Sequence, residues 1–324
     1  MRRLALALLA TLLPNMALAF PERPIVLMTG YSPGGSTDIA ARILADRMAA
    51  QLGPDARIIV ENRPGAAGTI ATEWLKRQPA DGHTLMVQET GAGAVASSAL
   101  VGGTRYDSLV DFTHLGLISV PPSVLVVTNN FPGRTPAEAL ATMRRAAPDS
   151  LTYASSGVGG ILHLQSEMLS QLLGTRMVHV PYRSGALMLQ SIFTGEAQMG
   201  VAAVASAAAM LKDNMVRGVA MIGPHRFPLF PDIPTIGELG VEGFESPAWF
   251  MLIGPAGVSP AVADRLNRAL VMTLAEPAIR DRMLTVGHAP PPPPNTQAAA
   301  REFMARELVL YRQMVARTGV RLEP

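Results

Sequence analysis

Thr29-Gly30-Tyr31-Ser32-Pro33-Gly34-Gly35-Ser36-Thr37-Asp38 is the stretch on which the reading of this chain turns. An apolar strand candidate, residues 24–29, runs into it. Residues 36–52 leave it with Ile39, Ala40, Ile43, Leu44, Met48 and Leu52 on one helical face. Strand, glycine loop, helix is the unit of a parallel sheet covered by helices. Gly34 and Gly35 let backbone approach a guest closely. Ser36 and Thr37 stand where a helix begins, and a helix start offers unpaired N–H groups and about half a positive charge. Such a start seats a carboxylate or phosphate, or it is an ordinary cap. Asp38 has two readings: it complements the dipole in the first turn, or it meets an amine or amide of a ligand.

Working outward, the unit repeats. Residues 58–60 and 84–87 read as strands and 66–77 as a helix. Further strands fall at 123–128, 151–154, 177–180, 198–203 and 216–222. Helices fall at 136–146, 161–173, 186–194, 205–212, 260–274 and 296–318. A second glycine loop, Ser155-Ser156-Gly157-Val158-Gly159-Gly160, again separates a strand from a helix. Two such loops at the carboxyl ends of strands can face each other and grip an organic anion through backbone donors. This predicts two α/β lobes, with the chain crossing between them near 118–124 and again near 222–230. Tyr182 ends a strand with a hydroxyl to offer, and Glu89-Thr90 end the third strand where it meets the cleft.

Composition narrows the classes. The 324 residues are 48% hydrophobic and 16% charged, which excludes disorder and suits two domains. No cysteine is present, so disulfides, thiolate catalysis and Cys-ligated zinc are excluded. The six histidines form no metal-ligand spacing, and no metal or cofactor is expected. Neither loop is a Walker A or a dinucleotide fingerprint. Residues 1–19 carry Arg2-Arg3, a short apolar run and Ala17-Leu18-Ala19, the pattern of a cleaved signal peptide. Cleavage takes two arginines and no acid, so the formal charge falls from +2 to zero, and nucleic acid is not an expected partner. Export to the periplasm follows.

One enzyme signal competes. Gly30-Tyr31-Ser32-Pro33-Gly34 matches the G-x-S-x-G nucleophile elbow after a strand, which makes a periplasmic serine hydrolase using Ser32 the alternative function. The elbow takes an oxyanion donor from the residue after the serine, and Pro33 has no N–H. A structural scaffold is a third reading.

The first loop is followed in order by Val60-Glu61-Asn62-Arg63-Pro64-Gly65-Ala66-Ala67-Gly68, Pro79-Ala80-Asp81-Gly82, Tyr153-Ala154-Ser155-Ser156-Gly157, Val180-Pro181-Tyr182 and Pro231-Asp232-Ile233-Pro234-Thr235. Over nearly the whole mature chain this resembles the substrate-binding proteins of tripartite tricarboxylate transporters, the Bug family. The resemblance implies a non-enzymatic, two-lobed periplasmic binding protein of Venus-flytrap form, type II-like, with mixed, mostly parallel sheets flanked by helices. It implies lobe 1 at residues 20–120 plus 226–324, lobe 2 at 121–225, and a small carboxylate between them. A membrane permease or sensor is the implied partner, and a monomer suits such a shuttle. Carried over by position, the ligand grips are Tyr31, Ser32, Gly34, Gly35, Ser36, Thr37 and Asp38 in the first loop, and Ser155, Ser156, Gly157 and Gly159 in the second. Glu89, Thr90, Tyr182 and Ala202 complete the expected site. The sequence departs from the family at Ala202-Ala203, where a polar pair is usual, and at Ser184 and Ser191. The departure at Ala202-Ala203 and a cleft-facing Glu89 together suggest a monocarboxylate or aromatic acid as readily as a tricarboxylate.

Overall fold

A computed structural model describes residues 20–223, 225–244, 248–319 and 321. The expected signal peptide, residues 1–19, lies outside them.

The chain begins with β1 (Ile25–Thr29), α1 (Ser36–Leu52) and β2 (Ile58–Asn62). A tight turn at Ala66–Gly68 leads into α2 (Thr69–Lys76) and β3 (Thr84–Glu89). A helical stretch at Gly91–Val95 continues into α3 (Ala96–Ala99), and β4 (Phe112–Ser119) follows. The second group holds β5 (Ser123–Val127), α4 (Pro136–Arg145), β6 (Thr152–Ser155), α5 (Ile161–Leu173), β7 (Val178–Pro181), α6 (Gly185–Thr194), β8 (Met199–Ala203), α7 (Val204–Lys212) and β9 (Arg217–Ile222). The chain ends with β10 (Phe250–Pro255), α8 (Pro260–Ala275), α9 (Pro277–Thr285) and α10 (Gln297–Thr318).

Two five-stranded sheets result, ordered β2-β1-β3-β10-β4 and β7-β6-β8-β5-β9. In each, the fourth strand runs antiparallel to both neighbours, while the first three pair parallel. That odd strand is the one the chain enters on arriving from the other lobe: β5 after β4, and β10 after the second lobe is complete. The sheets are thus mixed and mostly parallel, as expected. β1, Ile-Val-Leu-Met-Thr, is apolar along nearly its whole length because helices cover both its faces. β2 alternates between partly buried and exposed residues because it is an edge.

The chain passes from the first sheet to the second between Ser119 and Ser123. The second crossing does not fall at 222–230. Met221 N donates to Pro234 O, Ile236 N donates to Met221 O, and Arg144 reaches Gly240 O. These bonds keep the chain on the second lobe until about residue 240, and the β9–β10 connection returns only afterwards. β4, β10 and α9 are elements the periodicity did not flag. β10 lies inside the sheet and β4, at its edge, is covered by α8 and α10; both are nearly all buried, so they show no alternation.

Candidate functional site

Helix starts converge where the two sheets meet. α1 enters after β1, α5 after β6, α6 after β7 and α7 after β8, all at carboxyl ends of strands. Between them lies a small cavity of about 40 Å³. Its wall takes Ser36 and Thr37 from α1, Ile161 and Leu162 from α5, Gly185 from α6, and Ala203 and Ser206 at the start of α7. Tyr31, Glu89 and Ser156 complete its polar part, and Pro121, Ala248 and Phe250 its apolar part.

Three of these helices are left open at their first turn. The residues before α1, α5 and α7 are Gly35, Gly160 and Ala203, and none supplies a side-chain cap. Only α6 is closed, by Ser184 Oγ accepting from Leu187 N. The Ser36 hydroxyl is buried with no hydrogen-bond partner. Uncapped helix starts from both lobes and an unpaired hydroxyl therefore share one cavity, an arrangement suited to an anionic guest.

The lobes are closed on this cavity. Ser32 N lies 3.5 Å from Arg183 O across the cleft. A Cβ on Gly91 would stand 2.8 Å from Gly160 Cα, and one on Gly157 (φ +129) would stand 3.3 Å from Ala67 N. Glycine at these two points is what lets the loops meet. Outside the cavity, a groove of about 440 Å³ runs past Ala66, Ala67, Arg105, Gly157, Tyr182 and Arg183, and Tyr31 and Ser156 line both spaces.

The two glycine loops rest on different supports. Behind the first, the Asp38 carboxylate accepts from Gly34 N at 3.0 Å, Arg42 Nε at 3.0 Å and Asn62 Nδ2 at 2.9 Å. Burial opposes its charge, but these bonds hold the Asp38 pKa below the usual carboxylate range. Asn62 also donates to Tyr31 O and Thr29 Oγ1. The Val60–Gly68 string thus staples the loop. Behind the second loop, Ser155 Oγ lies 2.7 Å from His179 Nε2, and His179 stacks on His163 with ring centres 3.8 Å apart. Gly159 N donates to His163 Nδ1, and Tyr153 OH donates to Glu167. Desolvation pushes His163 down to about 3, with His179 adding to the effect, and pushes His179 down to about 4.

Of the residues expected at the site, Tyr31, Ser36, Thr37, Glu89 and Ser156 line the cavity. Gly35 carries the α1 start, and Gly157 with Tyr182 lines the outer groove. Asp38 is turned to Arg42 and Asn62, so its part is to shape the loop. Thr90 is spent on Trp249, accepting from its N–H at 2.7 Å. Ser155 and Gly159 serve the histidine support. Ser32 and Gly34 lie on the loop but not on the cavity wall, and Ala202 is buried in β8 one residue short of it. Gly185, Ile161, Leu162 and Ser206 were not singled out from sequence. The first turns of α5, α6 and α7 were the available signal. For the hydrolase alternative, none of the histidine hydrogen bonds among the described residues involves Ser32. No group of three or more His, Asp or Glu among the described residues is placed to hold a metal ion.

Comparison with known proteins gives one consistent answer. The family described as "Tripartite tricarboxylate transporter family receptor" matches residues 40–319. A protein of Pseudomonas sp. (strain P51), described as a UPF0065 protein in the tcbD-tcbE intergenic region, is 32% identical over 83% of this chain and 79% of its own length. The periplasmic binding protein BugD superposes with a TM-score of 0.88 at 26% identity, covering 94% of this chain and all of its own. MatC from Rhodopseudomonas palustris with bound malate superposes at 0.86 and 27% identity, covering 91% of this chain and all of its own.

Proposed function

This chain belongs to the tripartite tricarboxylate transporter family of receptors, and from that membership we propose that it captures a small organic carboxylate in the cavity between its lobes. The observation that carries the reading is the set of uncapped starts of α1, α5 and α7, drawn from both lobes and aimed at one cavity with an unpaired Ser36 hydroxyl. An anion there completes donors that neither lobe can satisfy alone, so binding favours the closed form. Bound malate in the MatC relative supports the same ligand class. The hinge lies in the strand connections near residue 120 and beyond residue 240, which divides the chain into a discontinuous first lobe and a continuous second one.

The receptor works in the periplasm after removal of residues 1–19, and among the described residues no helix is long and apolar enough to cross a membrane. It acts as a monomer, with no catalytic turnover, and hands its solute to a membrane permease or a sensor. Calorimetric titration with mono-, di- and tricarboxylates tests the central claim. At least one acid is expected to bind and to stabilise the protein by about 2.7 kcal/mol at a hundred times its Kd, with compaction seen by small-angle scattering. Failure of every acid to bind or to shift Tm overturns it.

A further inference from the structure

Glu89 is the one acidic side chain in the cavity wall, and it is buried, 6% exposed. Its Oε1 accepts from Tyr31 OH at 2.5 Å and from Ala92 N at 3.2 Å, and Gly91 N also reaches the carboxylate. Two carboxylate oxygens take about four hydrogen bonds, so one position remains. No Lys, Arg or His among the described residues forms an ion pair with it. The titratable groups facing it are Tyr31 and Tyr106, and burial holds both phenols neutral. A buried carboxylate with hydrogen bonds but no counter-charge is costly, and here it sits opposite helix starts of the other sign.

We propose that Glu89 selects a ligand carrying a protonated nitrogen as well as a carboxylate: the carboxylate lies at the starts of α1, α5 and α7, and the ammonium pairs with Glu89. The proposal rests on the cavity being the solute site. It deepens that reading by naming the ligand as zwitterionic. The geometry disfavours the alternatives. A second carboxylate at Glu89 would bring like charges together at a buried group. A hydroxyl would fill the last acceptor position but leave the charge unanswered. An ammonium does both, and burial of the Glu89 carboxyl, which raises its pKa, is offset when a cation arrives.

The experiment is calorimetric titration of the exported protein with matched ligands differing at one group: β-alanine against propionate, γ-aminobutyrate against butyrate, and aspartate against succinate and malate. Expected is a tenfold or greater preference for the ammonium-bearing member of at least one set, and loss of that preference in Glu89→Gln. Equal or tighter binding of the deamino or hydroxy member by the wild-type protein overturns the proposal and leaves the receptor reading standing. A preference that survives in Glu89→Gln overturns it also. Failure of every compound in both proteins overturns the assignment, and the receptor reading falls with it only if the wider panel of mono-, di- and tricarboxylates fails too. The wild-type comparison needs no variant, so it stands even where Glu89→Gln does not fold.

Discussion

Three helix starts on the outside of the molecule and three of the four at the cavity are built differently. α4, α8 and α10 open with Thr135, Ser259 and Thr296, and each side chain accepts from the N–H three residues on. At α4 the box is complete, with Glu138 returning to the Thr135 N–H. α1, α5 and α7 open with Gly35, Gly160 and Ala203 and carry no side-chain cap. α2 and α9 also lack a side-chain cap, but neither reaches the cavity. At the cavity only α6 keeps a cap of its own, from Ser184, while α1, α5 and α7 lack one. Local stability has been given up at the site for recognition.

The strongest way to break this comparison is to supply the anion from within. Ser206 lies in the first turn of α7 and lines the cavity. Ser206→Glu places a carboxylate at the open starts. A like charge about 4 Å from the ligand carboxylate costs about 4 kcal/mol at an intermediate dielectric, roughly a thousandfold in affinity. Calorimetry should then detect no acid binding, while the unliganded protein holds or raises its Tm, because an acid in a first turn favours the dipole. Retained binding would mean that these starts are not the anion seat.

The supports behind the two loops can be separated by pH. His163 and His179 are held neutral in the folded protein, at about 3 and about 4, against an ordinary value of 6.5. Below pH 6.5 the unfolded chain takes protons that the folded one refuses. Stability is therefore full above that value and is lost as pH falls towards 4. Each imidazole contributes a slope of about 1.4 kcal/mol per pH unit there. His163→Gln should flatten the slope of unfolding free energy by about one proton between pH 6 and 4.5, measured by urea titration. His114 and His288 act with the same sign, and Glu89 and Glu307, pushed up by burial, with the opposite one. All four remain in both proteins and cancel in the difference. The first loop, held by an acid already below its usual range, should give no such response over this window.

A smaller effect marks the outer helices. Thr135→Ala removes the α4 cap and should cost about 1 kcal/mol by denaturant titration, with ligand affinity unchanged. An affinity change would tie the outer caps to the site and erase the distinction.

The sequence made one half of this comparison readable. Alternating apolar runs and a glycine loop before Ser36 announced a parallel sheet, and the same pattern at Gly160 announced the second lobe. Glu89 was placed at the cleft because a strand end in such a sheet points there. The rest depended on contacts distant in sequence. Nothing near Asp38 reveals that Asn62 and Arg42 claim it, and nothing near Thr90 reveals Trp249. β10 was missed because a strand buried on both faces shows no period, and the late return from the second lobe was missed because its cause is the pairing of Pro234 and Ile236 with Met221. Ser206 is one serine in an alanine-rich run until α7 turns it to the cavity.

The finest test lies at Gly35. Glycine before a helix is usually excused by a backbone that other residues avoid, but Gly35 has φ −77 and ψ 165, which any residue adopts. Space does not demand it either, since the nearest atom to a Cβ there is Ser32 O at 3.6 Å. Gly35→Ser should therefore fold, cap α1, and gain a few tenths of a kcal/mol in unliganded stability. If the open start exists for the guest, the same change takes away one donor and lowers carboxylate affinity several-fold. Stability and affinity then move in opposite directions from a single added hydroxyl. Were affinity unchanged while stability rose, the donors of α1 would be satisfied by water in both states, and the anion would have to be held by the second lobe alone.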